Sequence, residues 1–302
     1  MRYPKSVHYW LLAGLVMIFF QVVLGGITRL TGSGLSITKW DIVTGSLPPM
    51  GDLQWQEAFD LYKATPQYQK INQGMELSQF KFIFFWEYFH RLWARLMGFV
   101  FLLPLFYFLI RRYIDRPLMI RLIVVFLLAA LVASLGWIMV ASGLIDRPWV
   151  NAYNLTIHLS VALLLFAYLA WTYWWALRRG DQNYILISPA GKWLTFILIL
   201  LSAQLILGGM MSGMKAGLLY PTWPDMGGSF IPKELMQGSN WQWSHFNQYD
   251  DHAFMGSLVQ WLHRGVAYLL VLSLILFWFK SGLSASLVDR KSTRLNSSHV
   301  SQ

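Results

Sequence analysis

The chain has 302 residues, 56% hydrophobic and 13% charged, with a formal net charge of +10 and no cysteine. A soluble domain would carry about 25% charged residues, so this composition excludes an ordinary water-soluble protein and predicts a polytopic membrane protein. The basic residues fall mostly in short loops between apolar runs, as the positive-inside rule requires, which argues against nucleic-acid binding. The absence of cysteine excludes disulfides, iron–sulfur clusters and thiolate metal sites within the chain.

Met1 to His8 form a short basic leader with Arg2 and Lys5. The first apolar run, about Tyr9 to Thr28, lacks a small-residue cleavage site and reads as a retained span rather than a signal peptide. It ends in Gly25-Gly26. A polar stretch of about 29–81 follows, with Thr31-Gly32-Ser33-Gly34, Trp40-Asp41, Pro48-Pro49 and an amphipathic segment around Trp55 to Tyr62. The second span, about Phe82 to Ile110, contains Pro104, where a kink is expected. After a basic loop with Arg111, Arg112, Arg116 and Arg121 comes the third span, about Leu118 to Ser142. A short connection holding Asp146 and Arg147 leads to the fourth, about Ala152 to Leu177. Arg178, Arg179 and Lys192 mark the next basic loop. The fifth span, about Trp193 to Met214, again has a double glycine, Gly208-Gly209. A second long polar loop, about 215–252, precedes the sixth span, about Ala253 to Lys280, and a polar tail. The distribution of Lys and Arg predicts a cytoplasmic amino terminus and extracytoplasmic long loops.

The two halves repeat. Gln21-Val22-Val23-Leu24-Gly25-Gly26 aligns with Gln204-Leu205-Ile206-Leu207-Gly208-Gly209 at an offset of 183, which also pairs Gly34 with Gly217 and Trp40 with Trp223. Beyond the long loop the offset is 173, pairing His90-Arg91 with His263-Arg264, Glu87 with Gln260 and Ala94 with Ala267. Both copies start on the same side, a parallel repeat of the kind membrane folds often use. Helices matching the third and fourth spans are missing from the second copy.

Ionisable groups inside a span are expensive and point to function. His90, His158 and His263 each lie 6–10 residues past the estimated start of a span, or roughly 9–15 Å deep. Neutral imidazole is the natural axial ligand of haem iron, and facing helices can hold a haem between two histidines. His90 and His158 suit such a pair; the plainer reading of each is a buried histidine with a hydrogen-bond partner. Glu87, one turn before His90, shares its helix face. It is either an acid beside a bound substrate or a carboxylate paired with Arg91 or Arg95. Arg91 and Arg264 match haem propionates as bidentate donors, or else pair with carboxylates of the protein. The double glycines allow close approach of helices or of a flat ligand, with packing the commoner role. The tryptophans read as interface anchors. Thr31-Gly32-Ser33-Gly34 lacks the lysine of a phosphate loop.

The sequence resembles the haem A synthase family. The resemblance lies in Gly25-Gly26-Ile27-Thr28-Arg29-Leu30-Thr31-Gly32-Ser33-Gly34-Leu35-Ser36, Glu87-Tyr88-Phe89-His90-Arg91-Leu92-Trp93-Ala94-Arg95, Pro148-Trp149-Val150-Asn151 through His158-Leu159, Pro221-Thr222-Trp223-Pro224-Asp225-Met226 and Gln260-Trp261-Leu262-His263-Arg264. It covers about Met1 to Lys280 and is closest to the mitochondrial and alphaproteobacterial branch; the branch with a cysteine pair in its first long loop is excluded. The resemblance implies an all-α enzyme of the bacterial inner membrane with eight helices in two pseudo-symmetric four-helix bundles. It implies oxidation of a haem O methyl group to the formyl group of haem A for cytochrome oxidase, with water supplying the oxygen. On this reading residues 1–180 form the substrate-haem bundle, with His90 and His158 as iron ligands and Glu87 as the acid. Residues 181–280 supply the first half of a haem B bundle, with His263 as one ligand. Haem O synthase and an electron carrier are the implied partners, and the resemblance leaves room for a homo-oligomer.

The family's fourth histidine lies on an eighth helix. Residues 281–302 do not resemble the family; from about Leu287 they read as a junction joined to a truncated gene, and His299 is no substitute ligand. Two other functions share parts of the pattern. A bis-histidine dihaem electron-transfer protein acting on a quinone needs the histidines but not Glu87. A transporter with a parallel repeat places its polar groups nearer mid-membrane.

Overall fold

The computed structural model describes residues 3–38, 47–145, 147–178 and 189–298, with the backbone alone for 189–190 and 281–298. Arg2, Trp40, Asp41, Asp146, Arg179 and His299 lie outside the described residues.

In chain order the helices are α1 (Lys5–Leu30), α2 (Asp52–Lys63), α3 (Pro66–Lys70), α4 (Leu77–Ile110), α5 (Arg116–Gly143), α6 (Ala152–Leu177), α7 (Pro189–Gly213), α8 (Lys233–Met236), α9 (Trp243–Asn247) and α10 (Ala253–Ser298). Six of them are long and apolar enough to cross a membrane: α1, α4, α5, α6, α7 from Gly191 and α10 to Lys280. The protein is an all-α polytopic membrane protein. It divides into two compact units, Met1–Gln182 and Asn183–Gln302.

In the first unit α1 packs on α4 and α6, and α5 packs on α6. The α1–α4 contact is an antiparallel ladder of side-chain donors reaching backbone carbonyls. Trp10 Nε1 reaches Val100 O at 2.9 Å, Trp93 Nε1 reaches Met17 O at 2.9 Å, Gln21 Nε2 reaches His90 O at 3.2 Å and Thr28 Oγ1 reaches Trp86 O at 3.3 Å. The first rung follows from Pro104. Proline has no N–H, so it leaves the carbonyl four residues earlier without its helical donor, and the Trp10 indole takes that place. The helix therefore runs unbroken through Pro104. Trp10 and Trp93 join helices here, a role that reading the tryptophans as interface anchors does not provide.

Helix α1 stops at a Schellman turn. Ser33 N–H bonds Thr28 O at 2.9 Å, Gly32 N–H bonds Arg29 O at 3.3 Å, and Gly32 takes the left-handed conformation at φ +67°. That is the structural role of the Thr31-Gly32-Ser33-Gly34 stretch. The chain then runs back over the membrane helices. Leu35 is buried over Gly143 of α5, where an added Cβ would come within 2.8 Å of its side chain.

The amphipathic segment expected around Trp55 to Tyr62 is α2. Its Phe59 and Tyr62 join Phe80, Ile83 and Phe84 of α4 in a buried aromatic cluster. This cluster needs α4 to start earlier than the apolar run does. A capping box supplies the start: the Glu76 side chain accepts from the backbone at Gln79, and Gln79 Oε1 accepts from Glu76 N–H at 3.0 Å. His90 consequently stands 13 residues into α4, deeper along its helix than a start at Phe82 predicts.

In the second unit α7 packs along α10. The α10 backbone continues helical to Ser298, past the expected span end at Lys280. The loop between α7 and α10 carries short 3₁₀ turns at Ala216–Leu218 and Gly238–Asn240 beside α8 and α9.

Candidate functional site

The site in the first unit draws on α4, held by the segment after α1, and on α6, packed against α5. Glu87 is 3% exposed and is held from two sides. Its Oε2 accepts from Ser36 N–H at 2.7 Å, Ser36 Oγ at 2.7 Å and Ile37 N–H at 2.9 Å. Its Oε1 accepts from Arg91, one turn along α4, in an ion pair. Burying a carboxylate requires compensation of this kind; charge-assisted donors from backbone amides and a guanidinium supply it. The Arg91 pairing weighed from the sequence is therefore present, and to it the structure adds an anchor on the returning chain that spacing alone does not reveal. Arg91 also donates to Ile37 O at 3.4 Å.

His90 lies one turn along α4 from Glu87, on the same helix face. His158 Nδ1 lies 3.0 Å from Val132 O on α5. A carbonyl can only accept, so Nδ1 carries the hydrogen and Nε2 presents its lone pair, the form used in metal ligation. The α6 start that positions His158 is fixed by Asn151, whose Oδ1 accepts from Tyr153 N–H at 2.9 Å and Asn154 N–H at 3.3 Å. Among the described residues no three His, Asp or Glu side chains converge as they would around a bare metal ion.

The second unit repeats this architecture with different chemistry. His263 Nε2 lies 3.1 Å from Gln204 Nε2 on α7, and its Nδ1 is buried without a hydrogen-bond partner. The amide nitrogen is a donor, so Nε2 is again the lone-pair edge. Gln260 takes the place of Glu87 and binds the returning loop through Tyr220 O at 2.9 Å. Arg264 donates to Tyr220 O at 2.8 Å, Thr222 O at 2.8 Å and Asp225 O at 2.9 Å. Ile37 and Tyr220 are separated by the offset of 183, and Arg91 and Arg264 by that of 173. The arginine-to-carbonyl clamp is thus the same contact in both halves. Of the two readings of these guanidinium groups, pairing with propionates or with carboxylates of the protein, Arg91 has the second in Glu87, and Arg264 donates to backbone carbonyls.

The family described as cytochrome oxidase assembly protein, COX15-CtaA, matches residues 8–298, which carries the match past Lys280 into the stretch whose motifs alone show no resemblance. The chain belongs to this family. It is 43% identical over 281 residues to a heme A synthase of Parvibaculum lavamentivorans, covering 93% of this chain and 79% of the relative. A heme A synthase of Nitrosospira multiformis is 40% identical over 282 residues, covering 92% and 76%. One from a Bradyrhizobium species is 44% identical over 271 residues, covering 88% and 72%. No solved structure matches the chain.

Proposed function

We propose that the chain is a haem A synthase, an oxidoreductase of the bacterial inner membrane that converts the methyl group of haem O into the formyl group of haem A. The observation that carries the reading is the Glu87 and His90 pair on one face of α4, with His158 of α6 oriented through Val132, in a chain about 40% identical to heme A synthases. His90 and His158 ligate the iron of the substrate haem from α4 and α6. In balance, the methyl carbon and one water give the formyl group, releasing four electrons and four protons. The electrons leave to a membrane electron carrier, and haem O arrives from haem O synthase.

Loss of electrons from the methyl group builds positive charge on its carbon. A fixed carboxylate in a site of low dielectric stabilises such charge without having to reorganise. Glu87 fits this role because its four donors hold it in place. Ser36 and Ile37 fix the carboxylate to the loop, and Arg91 fixes it to α4. A porphyrin held through both axial positions offers no open iron site for direct oxygen insertion. This favours water as the oxygen source.

In the second unit His263 is the haem B ligand that this chain supplies. Its Nε2 lone pair accepts from the Gln204 amide, so the Gln204 side chain must turn aside for His263 to ligate iron there. A bound haem B supplies one-electron redox chemistry there. The weighting of Lys and Arg puts the amino terminus in the cytoplasm and the long loops outside.

Haem extraction from the purified full chain tests the reading. Wild type should yield haem O or haem A, and Glu87→Gln should retain haem while haem A falls to background. Haem B alone from the wild type would favour an electron-transfer protein, and unimpaired haem A from Glu87→Gln would remove the carboxylate from the mechanism.

A further inference from the structure

The three intramembrane histidines share a surrounding that ligation does not explain. Each imidazole edge rests over a glycine of the preceding transmembrane helix. A Cβ built on Gly25 would lie 3.6 Å from His90 Cε1 and 3.7 Å from its Nε2. On Gly136 it would lie 2.9 Å from His158 Cε1, 3.3 Å from its Nδ1 and 3.8 Å from its Nε2, and on Gly208 it would lie 3.4 Å from His263 Cε1. On Gly26, beside Gly25, it would meet nothing within 4 Å.

Four residues before each of these glycines stands a polar contact to the same histidine. Gln21 donates to the His90 carbonyl, the Val132 carbonyl meets His158 Nδ1, and the Gln204 amide meets His263 Nε2. Positions four apart share a helix face. Each preceding helix therefore offers its histidine a polar partner and, one turn further on, a gap; for His263 that partner sits on Nε2 and gives way when iron takes its place. The Gln-to-Gly spacing at Gly25 and Gly208 belongs to the sequence repeat. The socket of Val132 with Gly136 has no counterpart motif and is visible only in the fold.

We infer that Gly25, Gly136 and Gly208 are positioning residues that leave each imidazole the room beside Cε1 to hold the orientation in which it ligates a porphyrin iron. The assignment rests on the reading of His90, His158 and His263 as iron ligands. Iron bound at Nε2 carries a broad planar macrocycle whose near edge passes beside Cε1. A methyl group at Gly136 turns the ring out of line, while at Gly25 and Gly208 it fills contact space beside the ring and limits how the ring can adjust to the porphyrin. Gly136 has the least clearance, since 2.9 Å is closer than carbon contacts allow. What must yield is the far end of a side chain rather than backbone, so α5 and α6 stay packed while His158 leaves the Val132 carbonyl. Alanine also favours helix over glycine, so a weaker helix cannot account for lost haem.

The test compares full-length Gly136→Ala, Gly208→Ala, Gly25→Ala and Gly26→Ala with wild type in haem content per chain and in the low-spin bis-histidine electron paramagnetic resonance signal. Gly136→Ala should lose the amino-terminal haem about tenfold or more, the scale of an overpacked contact. Gly208→Ala and Gly25→Ala should show smaller losses in that order, and Gly26→Ala should match wild type. Wild-type haem content and spectrum in Gly136→Ala would overturn the assignment, as would equal loss in Gly26→Ala. If Gly136→Ala does not fold, the contrast of Gly25→Ala and Gly208→Ala with Gly26→Ala decides in the same way. His90→Ala and His158→Ala report separately on the ligands. Should they leave haem content and spectrum unchanged, the ligation reading itself fails, whatever the glycines do.

Discussion

Ser36 binds Glu87 twice, through its backbone N–H and its hydroxyl, both at 2.7 Å to the same carboxylate oxygen. The hydroxyl bond can be removed without touching the other donors. Ser36→Ala should leave Ile37 and Arg91 in place and loosen the carboxylate by the worth of one charge-assisted bond, about 1.5–3 kcal/mol. If Glu87 acts from a fixed position, haem A formation should fall about tenfold or more while the haem spectrum stays as in wild type. A variant with full activity would mean that the loop anchor is dispensable. One that loses its haem would mean that the anchor serves binding rather than turnover.

Trp10 and Pro104 are coupled through the Val100 carbonyl, which the indole N–H reaches at 2.9 Å. Trp10→Phe removes the donor and leaves a buried carbonyl unpaired, which costs about 1–3 kcal/mol. Pro104→Ala returns a backbone N–H to that carbonyl, so the same Trp10→Phe change should cost less in its presence. Thermal or denaturant unfolding of the four proteins in the cycle should give a coupling of about 1 kcal/mol. The packing of Trp10 on Phe101 and Phe108 is lost in both arms and cancels. Additive effects would show that the indole does not substitute for the missing helical bond.

The spans were legible because hydropathy and the need to satisfy every backbone group leave a membrane chain few options. Ala152–Leu177 has the bounds read from sequence, since Asn151 is a cap visible as a residue type. Leu77 was not legible as a start, because the first turns of α4 pack on α2 and not in the apolar run. The histidines and Glu87 stood out as charges and imidazoles among apolar residues. Their partners did not: Ser36, Ile37 and Val132 contribute mainly backbone groups, which no residue type announces. The repeat came closest to revealing them, since Gln21 with Gly25 and Gln204 with Gly208 share one offset.

Arg264 reaches three backbone carbonyls at 2.8–2.9 Å and so pins the loop of about 215–252 to α10. A lysine keeps the charge but cannot span all three acceptors. Arg264→Lys should weaken the loop by about 1–3 kcal/mol, read as faster tryptic cleavage at Lys215 and Lys233 in protein stripped of haem. If the arginine served only a propionate, cleavage of the stripped protein would not change between variant and wild type.

Two tyrosines outside the membrane should mark the alkaline limit of the long loops. Burial raises the pKa of Tyr62 above its ordinary value, with Asn72 opposing and the Glu87 charge adding to the rise. Burial, followed by hydrogen bonding to Glu234, raises that of Tyr220. The folded state therefore keeps these protons at pH values where an unfolded tyrosine has lost them. Each contributes stability that is whole below about pH 10 and is lost as pH rises through the folded value. A titration followed by tyrosinate absorbance should show two late-ionising groups, one absent in Tyr62→Phe and the other in Tyr220→Phe. The Tyr62 hydroxyl also links Gln67 and Asn72, so its ionisation should coincide with increased proteolysis of residues 52–75. Tyrosines that all ionise at the ordinary pH, with the loops still protected, would remove both groups from the account of alkaline stability.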